Sequence, residues 1–235
     1  MPGRLEGHVA VITGGGRGIG QAIAHALAGA GARLALCARS QNDLDATAAA
    51  LRQAAQGPVE VLTMRCDIAS DSDVTRFAAA VQRQLGAPHI LVNNAGIVAR
   101  GRLDEQAPAD WIQVLDVNLL GAYRMTRAFL PAMRAVRRGR IINVSSISGR
   151  LGTPLLTAYC ASKHGLIGLT RALAEEVRQD GLQVNAICPG SVDTEMLVGS
   201  GFTPAMTPED VARVALFLAT DAPAALTGAC LDVFG

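Results

Sequence analysis

Tyr159 and Lys163 are the side chains whose types and spacing best suit proton transfer, and they stand four positions apart in the segment Tyr-Cys-Ala-Ser-Lys. A helix would place both on one face. A phenol with an ordinary pKa of about 10 is a poor base at neutral pH, but a neighbouring ammonium favours the phenolate and lowers that pKa. Such a pair could exchange a proton with an alcohol or a ketone. Taken alone, the spacing favours an exposed tyrosine and lysine on an amphipathic helix, but its position after a glycine-rich nucleotide motif favours the catalytic pair.

Lys163 is also the single lysine among 21 basic residues, all the others being arginine. A compact ammonium can approach a phenol and donate to sugar hydroxyls at the same time, whereas the wide planar fork of arginine would not superimpose on it. The sequence therefore offers a chemical reason for this one exception to the arginine bias.

A glycine-rich segment follows the first apolar run and leads into a helical pattern; residues 13–20 read Thr-Gly-Gly-Gly-Arg-Gly-Ile-Gly. Glycines let the backbone approach a pyrophosphate closely, and a helix start offers unpaired N–H groups to phosphates. Glycines alone would also suit an ordinary strand-to-helix turn. The order of strand, glycines and helix predicts a dinucleotide site.

The end of the second predicted strand bears on which nicotinamide coenzyme is bound. A carboxylate there binds the ribose of NAD, whereas a cation accommodates the additional phosphate of NADP. Residues 37–40 read Cys-Ala-Arg-Ser, with no acid before Asp43, and Arg17 in the glycine segment could reach the same phosphate. Both arginines could instead be solvated surface charges. We predict NADP(H) in preference to NAD(H).

These residues have to be positioned by alternating strands and helices. Apolar runs typical of strands covered on both faces are Val9–Thr13, Arg33–Ala38, Val59–Cys66, Ile90–Asn93, Arg140–Val144, Gln183–Cys188 and Leu231–Phe234. Helical periodicity covers 18–30, 41–56, 71–85, 107–135, 157–179 and 208–220. This alternation predicts a parallel α/β sheet. The irregular segment 195–207 follows the sixth strand, where open sheets of this kind bind ligands.

Composition excludes several other classes of protein. Half of the chain is apolar, 17% is charged, 3% is aromatic, and the net charge is +1, so neither disorder nor nucleic-acid binding is expected. No apolar run is long enough to span a membrane, and the N-terminus does not resemble a secretion signal. The five cysteines contain no C-x-x-C, and the four histidines lack metal-ligand spacing. We expect reduced thiols, a cytoplasmic location and no metal.

Several motifs together resemble the compact single-domain branch of the short-chain dehydrogenase/reductases, with some likeness to 3-oxoacyl-acyl-carrier-protein reductases. The resemblance covers essentially the whole chain and rests on Thr13-Gly14-x-x-x-Gly18-x-Gly20, Asn93-Asn94-Ala95-Gly96, Asn118, Ser146, Tyr159-x-x-x-Lys163 and Pro189-Gly190. It implies one domain over 1–235, with a Rossmann-type, doubly wound, parallel seven-stranded sheet and helices on both faces in a three-layer sandwich. It also implies an NADP(H)-dependent carbonyl reductase or alcohol dehydrogenase.

The resemblance assigns catalytic roles to Asn118, Ser146, Tyr159 and Lys163. Ser146 would stabilise negative charge developing on the substrate oxygen, and its thirteen-residue distance from Tyr159 favours it over Ser145 and Ser148. Ser145 would instead satisfy backbone groups. Asn118 would sit in a local helix distortion and hold a water linked to Lys163; alternatively its side chain caps a kink.

The resemblance also implies the coenzyme-binding residues, which are Gly14, Gly16, Arg17, Gly18, Ile19, Gly20, Arg39, Ser40, Asp67, Ile68, Asn94, Ala95, Gly96, Tyr159, Lys163, Pro189, Gly190, Val192 and Thr194. Asp67 would contact the adenine amino group; its alternative role is the N-cap of helix 71–85. Thr194 would contact the nicotinamide carboxamide, with Ser191 as its rival and a simple turn as the alternative. Asn93 is expected to brace the centre of the sheet.

The substrate would be a small carbonyl compound or alcohol. The residues expected around it are mostly apolar and favour an uncharged or hydrophobic compound: Ile97, Val98, Arg150, Leu151, Thr153, Leu155, Leu156 and the segment 195–207. Carrier-protein reductases usually carry two arginines for their acidic partner. Arg137 lies near one such place, but Glu175 occupies the other. A non-catalytic NADP-binding sensor is the alternative from another class.

Subunit contact is the remaining implication of the resemblance. Helices 107–135 and 157–179 are similar to the pair that family members use to associate, which predicts a homodimer or homotetramer.

Overall fold

The computed structural model describes residues 4–55 and 59–235. In these ranges the strands are β1 (Val9–Thr13), β2 (Arg33–Ala38), β3 (Val61–Arg65), β4 (Ile90–Asn93), β5 (Gly139–Val144), β6 (Leu182–Pro189) and β7 (Cys230–Val233). The helices are α1 (Gly18–Gly29), α2 (Gln41–Ala54), α3 (Asp71–Gln84), α4 (Pro108–Leu115), α5 (Ala122–Val136), α6 (Thr157–Glu176) and α7 (Pro208–Thr220). A π-helical segment, Asp116–Gly121, joins α4 to α5.

The strands form one parallel seven-stranded sheet in the order β3-β2-β1-β4-β5-β6-β7. The chain winds outward in one direction from β1 to β3 and in the other from β4 to β7, so the order reverses between β1 and β4. Because all strands are parallel, their carboxyl ends meet at one edge, and the reversal opens a crevice there. The predicted doubly wound fold is confirmed.

Helices cover both faces of the sheet, which explains the apolar strand sequences. One core contains Ile12 of β1 and Ile23 of α1, together with side chains of α2 and α7. The opposite core contains Val11 of β1 and side chains of α3, α5 and α6. Phe77 and Phe129 meet edge to face in this second core, with ring centroids 6.2 Å apart. Neighbouring residues of one strand are thus buried on opposite sides, and three layers result.

Element ends differ from the predictions by a few residues. The third strand is shorter than the predicted 59–66, and the predicted helix 41–56 ends at Ala54, with its predicted last residue, Gln56, outside the described ranges. The predicted helix 157–179 ends at Glu176, because a 3-10 turn follows and Gly181 has a φ of 74° that redirects the chain into β6.

A chain of buried polar side chains crosses the middle of the sheet. Asn93 on β4 donates to Thr126 of α5 at 3.0 Å and to Asn143 on β5 at 2.9 Å. Asn143 in turn donates to Thr170 of α6 at 2.9 Å. These hydrogen bonds connect both helices to the strands that end at the crevice. Asn93 therefore lies where a brace of the sheet centre was expected.

Across residues 4–55 and 59–235, no helix combines the length and apolar character needed to cross a membrane.

Candidate active site

The carboxyl edge of the sheet encloses a cavity of about 240 Å³. Its lining includes Ser146 after β5, Tyr159 of α6, Pro189 at the end of β6 and Thr194 beyond it. Residues predicted for catalysis and residues predicted for coenzyme binding thus face one space.

Tyr159 and Lys163 lie on the same side of α6, and the Lys163 Nζ is 5.6 Å from the centroid of the Tyr159 ring. The ammonium is buried and donates a 2.8 Å hydrogen bond to the carbonyl of Val144, the last residue of β5. The helical spacing therefore brings phenol and ammonium together at the end of a central strand.

Burial dominates the acid–base properties of this pair. Desolvation raises the pKa of Tyr159, and a hydrogen bond with Ser146 and the positive charge of Arg100 only partly oppose it. Burial also lowers the pKa of Lys163 to about 8. The net lowering of the phenol pKa expected from Lys163 is therefore wrong for the chain alone, because the cost of a buried phenolate outweighs the nearby favourable groups. Tyr159 is a neutral phenol at pH 7.

The three neighbouring serines are used differently. Ser145 donates to the carbonyl of Lys163 at 3.0 Å, which is the backbone role expected for it. Ser146 accepts from the backbone N–H of Ser148 at 3.1 Å, at the start of the 3-10 turn Ile147–Gly149. The Ser148 hydroxyl lies 3.0 Å from that of Thr153. Of the three, Ser146 is the one that also bonds Tyr159.

Asn118 lies in the π-helical segment, which confirms the predicted helix distortion. Its buried amide accepts from the N–H of Ile97 at 2.8 Å and donates to the carbonyl of Ile97 at 2.9 Å and to Ser162 at 3.0 Å. The side chain thus fastens the loop after β4 to α6 and does not cap a kink of its own helix. The water relay to Lys163 stays a prediction.

In the glycine segment, neighbouring atoms lie so close to the backbone that they leave no room for a side chain. Gly14 has a φ of 66°, and a Cβ on Gly20 would lie 2.2 Å from the Gly14 carbonyl oxygen. A Cβ on Gly16 would lie 2.8 Å from the Cβ of Asp43. Gly18 begins α1, where Arg17 supplies no side-chain cap, so N–H groups of the first turn have no side-chain partner there. This backbone fits an anion such as a pyrophosphate.

Thr13 joins this segment to the loop after β4. This contact was not predicted from the sequence. Its hydroxyl accepts from the N–H groups of Asn94 and Ala95, each at 3.0 Å. Asn94 donates to the carbonyls of Thr13 at 3.0 Å and Gly14 at 3.3 Å. The sequence feature that could have indicated this contact is a polar residue at the end of β1, which lies next to the Asn-Asn-Ala-Gly segment after β4.

Gly96 keeps the space beside Lys163 open. A Cβ at this position would lie 3.2 Å from Asn118 Oδ1 and 3.6 Å from Lys163 Nζ. A bulkier residue would occupy the place where a sugar hydroxyl could reach the ammonium.

Arg39 and Ser40 lie at the end of β2, as predicted. Arg39 is exposed and its carbonyl accepts from the Nε of Arg65 at 3.2 Å. Ser40 caps α2 by accepting from the N–H of Asp43 at 3.3 Å. The Arg39 guanidinium is thus presented to solvent at the end of β2.

Asp67 and Ile68 follow β3. Asp67 accepts from the N–H of Ala69 at 3.0 Å, whereas Ser70 is the N-cap of α3. The alternative interpretation of Asp67 as that N-cap is therefore wrong. Ile68 is buried and packs so closely on Gly121 that a Cβ there would lie 2.6 Å from its Cδ1.

Arg17 is engaged across the cleft. Its guanidinium forms an ion pair with Glu195, in the 3-10 turn Glu195–Leu197, and both side chains are more than half exposed. From the other side, Arg100 donates to the carbonyl of Met196 at 2.6 Å. Two arginines from different loops therefore hold this turn over the cavity.

The segment 195–207 is irregular, as predicted, but its base is closed. Val192 and Met206 form an isolated bridge, and the N–H of Ala205 donates to the carbonyl of Ser191 at 2.9 Å. Thr194 donates to the carbonyl of Val192 at 3.4 Å, and the N–H of Gly190 donates to Val233 at 2.8 Å. Pro189, Gly190, Val192, Thr194 and Ile19 all line the cavity.

Among residues 4–55 and 59–235, no three His, Cys, Asp or Glu side chains gather in a group that could hold a metal ion.

Known proteins match this chain over its length. The family model described as short chain dehydrogenase matches residues 8–201. A 3-oxoacyl-acyl-carrier-protein reductase of Pseudomonas aeruginosa is 40% identical, over 98% of this chain and 97% of that protein. A 2-(S)-hydroxypropyl-CoM dehydrogenase of Xanthobacter autotrophicus is 34% identical, over 100% and 98%.

The fold is likewise that of a solved relative. The crystal structure of levodione reductase superposes with a TM-score of 0.91 at 29% identity, over 97% of this chain and 96% of that one. The chain therefore belongs to the short-chain dehydrogenase/reductase family of oxidoreductases, which use nicotinamide coenzymes, and it is similar to 3-oxoacyl-acyl-carrier-protein reductases.

Proposed function

We propose that this chain is an NADP(H)-dependent carbonyl reductase that interconverts a ketone and a secondary alcohol. The observation that carries the proposal is a single cavity in which Ser146 and Tyr159 lie beside the residues after β6, with Lys163 behind the phenol. Residues 1–235 act as one domain in this proposal, because the residues proposed for catalysis and those proposed for coenzyme binding lie at the same edge of one sheet.

The residues present fit a nicotinamide coenzyme, which supplies or accepts a hydride when bound. The glycine segment and the first turn of α1 would hold the pyrophosphate, and Lys163 beside Gly96 would hold the ribose. Thr194 and Val192, which line the cavity, would contact the nicotinamide. Asp67 and Ile68, both after β3, would hold the adenine.

Tyr159 holds the proton that the reaction requires. Its raised pKa keeps the phenol protonated at neutral pH, which suits donation to the oxygen of a ketone being reduced. Ser146 donates to that same oxygen and stabilises the charge that develops on it. Lys163 positions Tyr159, and Asn118 holds the loop after β4 against α6.

Arg39 and Arg17 support NADP(H) over NAD(H). Arg39 is exposed at the end of β2, and no acidic residue lies between β2 and Asp43. A phosphate on the ribose would pair with this cation. Arg17 can join it only by leaving Glu195. Comparison of kcat/KM for the two coenzymes tests this, and a clear preference for NAD(H) would overturn it.

A 3-oxoacyl-acyl-carrier-protein reductase is the second candidate, favoured by the 40% identity to the Pseudomonas aeruginosa enzyme. Of the two places where such reductases usually carry arginine, one has Arg137 nearby and the other has the acidic Glu175. Arg137 donates to the carbonyl of Gln179 at 3.0 Å, and Glu175 pairs with Arg178 at 2.5 Å. A free carbonyl compound therefore remains our first choice.

We also propose that the chain is a homodimer or homotetramer and works in the cytoplasm. Exposed apolar side chains stand along α4, the π segment and α5, at Ile112, Leu120, Tyr123 and Val136. Burying them between copies would remove apolar surface from water. Sedimentation at micromolar concentration tests this, and a monomer would contradict it. The free cysteines suit a reducing compartment.

The decisive experiment is loss of nicotinamide absorbance with a panel of diketones, β-ketoesters and quinones, using both coenzymes. The Tyr159→Phe variant should lose about 10²- to 10⁴-fold in kcat while coenzyme binding is nearly unchanged, because only the proton donor is removed. If Tyr159→Phe retains most activity, another acid must act. If the wild type binds NADPH but reduces no carbonyl compound, the chain is a coenzyme-binding sensor.

A further inference from the structure

We infer that Arg100 binds an anionic group on the substrate, so that the preferred substrates are oxo acids, in which a carboxylate and a ketone belong to one molecule. The inference rests on the proposed function and names its substrate class. This inference replaces the expectation of an uncharged substrate. That expectation rested on mostly apolar residues, whereas the cavity lining also includes Arg100.

Arg100 is placed where a substrate would meet it. It lines the same cavity as Ser146 and Tyr159, and it is the one charged residue among the described residues that line this space. It is exposed, so it stands at the mouth of the cavity, and its positive charge acts on the phenol. A molecule with its ketone at Tyr159 therefore has a cation within the same enclosure.

The arginine is held from two directions. The next residue, Gly101, donates its N–H to the carbonyl of Leu155 at 3.0 Å. Leu155 has a φ of 64°, an unfavourable conformation for a leucine, and its carbonyl is thereby used to anchor the Arg100 loop to the start of α6. At the other end, the guanidinium donates to Met196 at 2.6 Å. One of its five N–H groups is used by this bond, and the others are free to bind an anion.

The charge of Arg100 lacks the local compensation that a neighbouring arginine has. The side-chain hydrogen bond of Arg100 within the described chain goes to a carbonyl, not to a carboxylate. Arg102, two residues later, lies 3.4 Å from Asp104 and 3.5 Å from Glu105. A substrate carboxylate would complete for Arg100 the pairing that Arg102 already has, through charge-assisted hydrogen bonds.

The rest of the enclosure suits the carbon chain of a short oxo acid. Val98, Leu156 and Phe202 contribute apolar surface beside Arg100, and no acidic side chain among the described lining residues would repel a carboxylate. The combination is one apolar wall, one hydrogen-bonding centre for a ketone and one cation.

The test compares acetoacetate and levulinate with their ethyl esters, using wild type, Arg100→Gln, Arg100→Lys and the control Arg102→Gln. The wild type should prefer each acid to its ester. Arg100→Gln should lower the acid-to-ester ratio of kcat/KM about 10- to 100-fold, as expected for the loss of a hydrogen bond to a charged group. Arg100→Lys should restore part of the ratio, and Arg102→Gln should keep that of the wild type.

Two further measurements separate a binding role from support of the 195–207 segment. Calorimetric titration should show pentanoate binding the wild type more tightly than pentanamide, and Arg100→Gln should abolish that preference. With an ester substrate, Arg100→Gln should also shift the kinetic pKa assigned to Tyr159 upward.

Acetoacetyl-CoA distinguishes a free acid from a bulkier anionic substrate. A larger effect of Arg100→Gln with acetoacetyl-CoA than with the acids would assign the cation to the coenzyme A phosphates and overturn the oxo-acid assignment.

The failures are distinguishable. If Arg100→Gln lowers acid and ester equally and the titration shows no carboxylate preference, Arg100 only supports the loop and this inference fails while carbonyl reduction stands. If the wild type turns over no carbonyl compound in either panel, the proposed function fails and the inference fails with it.

Discussion

The catalytic end of the cleft and the segment 195–207 that faces it are built differently. Lys163 and Asn118 are buried, belong to helical elements and are hydrogen-bonded to neighbouring backbone. The 195–207 segment is largely exposed and is held by the Arg17–Glu195 pair, by the Arg100 contact and by the bridge at Met206. The proposed catalytic residues are therefore anchored in the core, whereas the 195–207 segment is held by a few contacts from other loops.

The largest effect on stability and coenzyme binding should come from adding a side chain where two parts of the glycine segment are in close contact. Gly20→Ala would place a Cβ 2.2 Å from the Gly14 carbonyl oxygen, so the loop must move. We expect a loss of about 2–4 kcal/mol in the free energy of unfolding and loss of NADPH binding. Urea unfolding and calorimetry measure both.

Gly29 provides a matched control in the same helix. A Cβ on Gly29 would meet nothing within 4 Å, so Gly29→Ala should keep coenzyme binding and gain about 0.5–1 kcal/mol of stability. Equal losses in both variants would mean that α1 tolerates no added methyl group, and that the close approach at Gly20 is not the cause.

The buried ammonium predicts an effect of intermediate size that depends on pH. Burial lowers the pKa of Lys163 from 10.5 to about 8, so between these values the unfolded chain binds more protons than the folded one. The free energy of unfolding therefore rises with pH across that window, and below it the buried charge costs stability. Lys163→Met should be more stabilised relative to wild type at pH 7 than at pH 10, by up to about 3 kcal/mol.

Urea unfolding of wild type and Lys163→Met at the two pH values measures this difference. Comparing the two proteins at each pH cancels the titration of all other groups. The hydrogen bond to Val144 is missing from the variant at both pH values. A stability difference that does not change with pH would contradict the assigned burial of the charge.

The smallest effect is expected in the 195–207 segment. In the proposed NADP(H) site, Glu195 would compete with the coenzyme phosphate for Arg17, and the exposed pair is worth about 0.2–1 kcal/mol. Glu195→Gln should therefore tighten NADPH binding about 1.4- to 5-fold, with little change for NADH, and the gain should shrink at high salt. Calorimetric titration measures it, with Glu105→Gln as control. Equal tightening for both coenzymes would rule out competition at the phosphate.

Much of the catalytic end could be predicted from sequence because its signals are local. The four-residue step from Tyr159 to Lys163 is a helical repeat, and it places the two side chains together wherever a helix forms. The glycines of residues 13–20 mark a backbone conformation that other residues resist. The distortion around Asn118 was expected, although its bonds to Ile97 and Ser162 depend on elements distant in sequence.

Arg100 and Arg17 show why the contacts of the 195–207 segment could not be predicted in the same way. Nothing near Arg100 in sequence indicates that it meets Met196, and the partner of Arg17 is 178 residues away. The sign of the Tyr159 pKa shift was also missed, because burial depends on everything packed around the phenol.

The strand–helix alternation, the glycine turn and the helical pairing of phenol and ammonium follow from local sequence, since each depends on short-range sterics and periodicity. Which strand ends meet, how strongly the phenol is desolvated and which cation faces the cavity follow from packing. Those properties arise from contacts between residues far apart in the chain, and their energies depend on the local dielectric environment that packing creates.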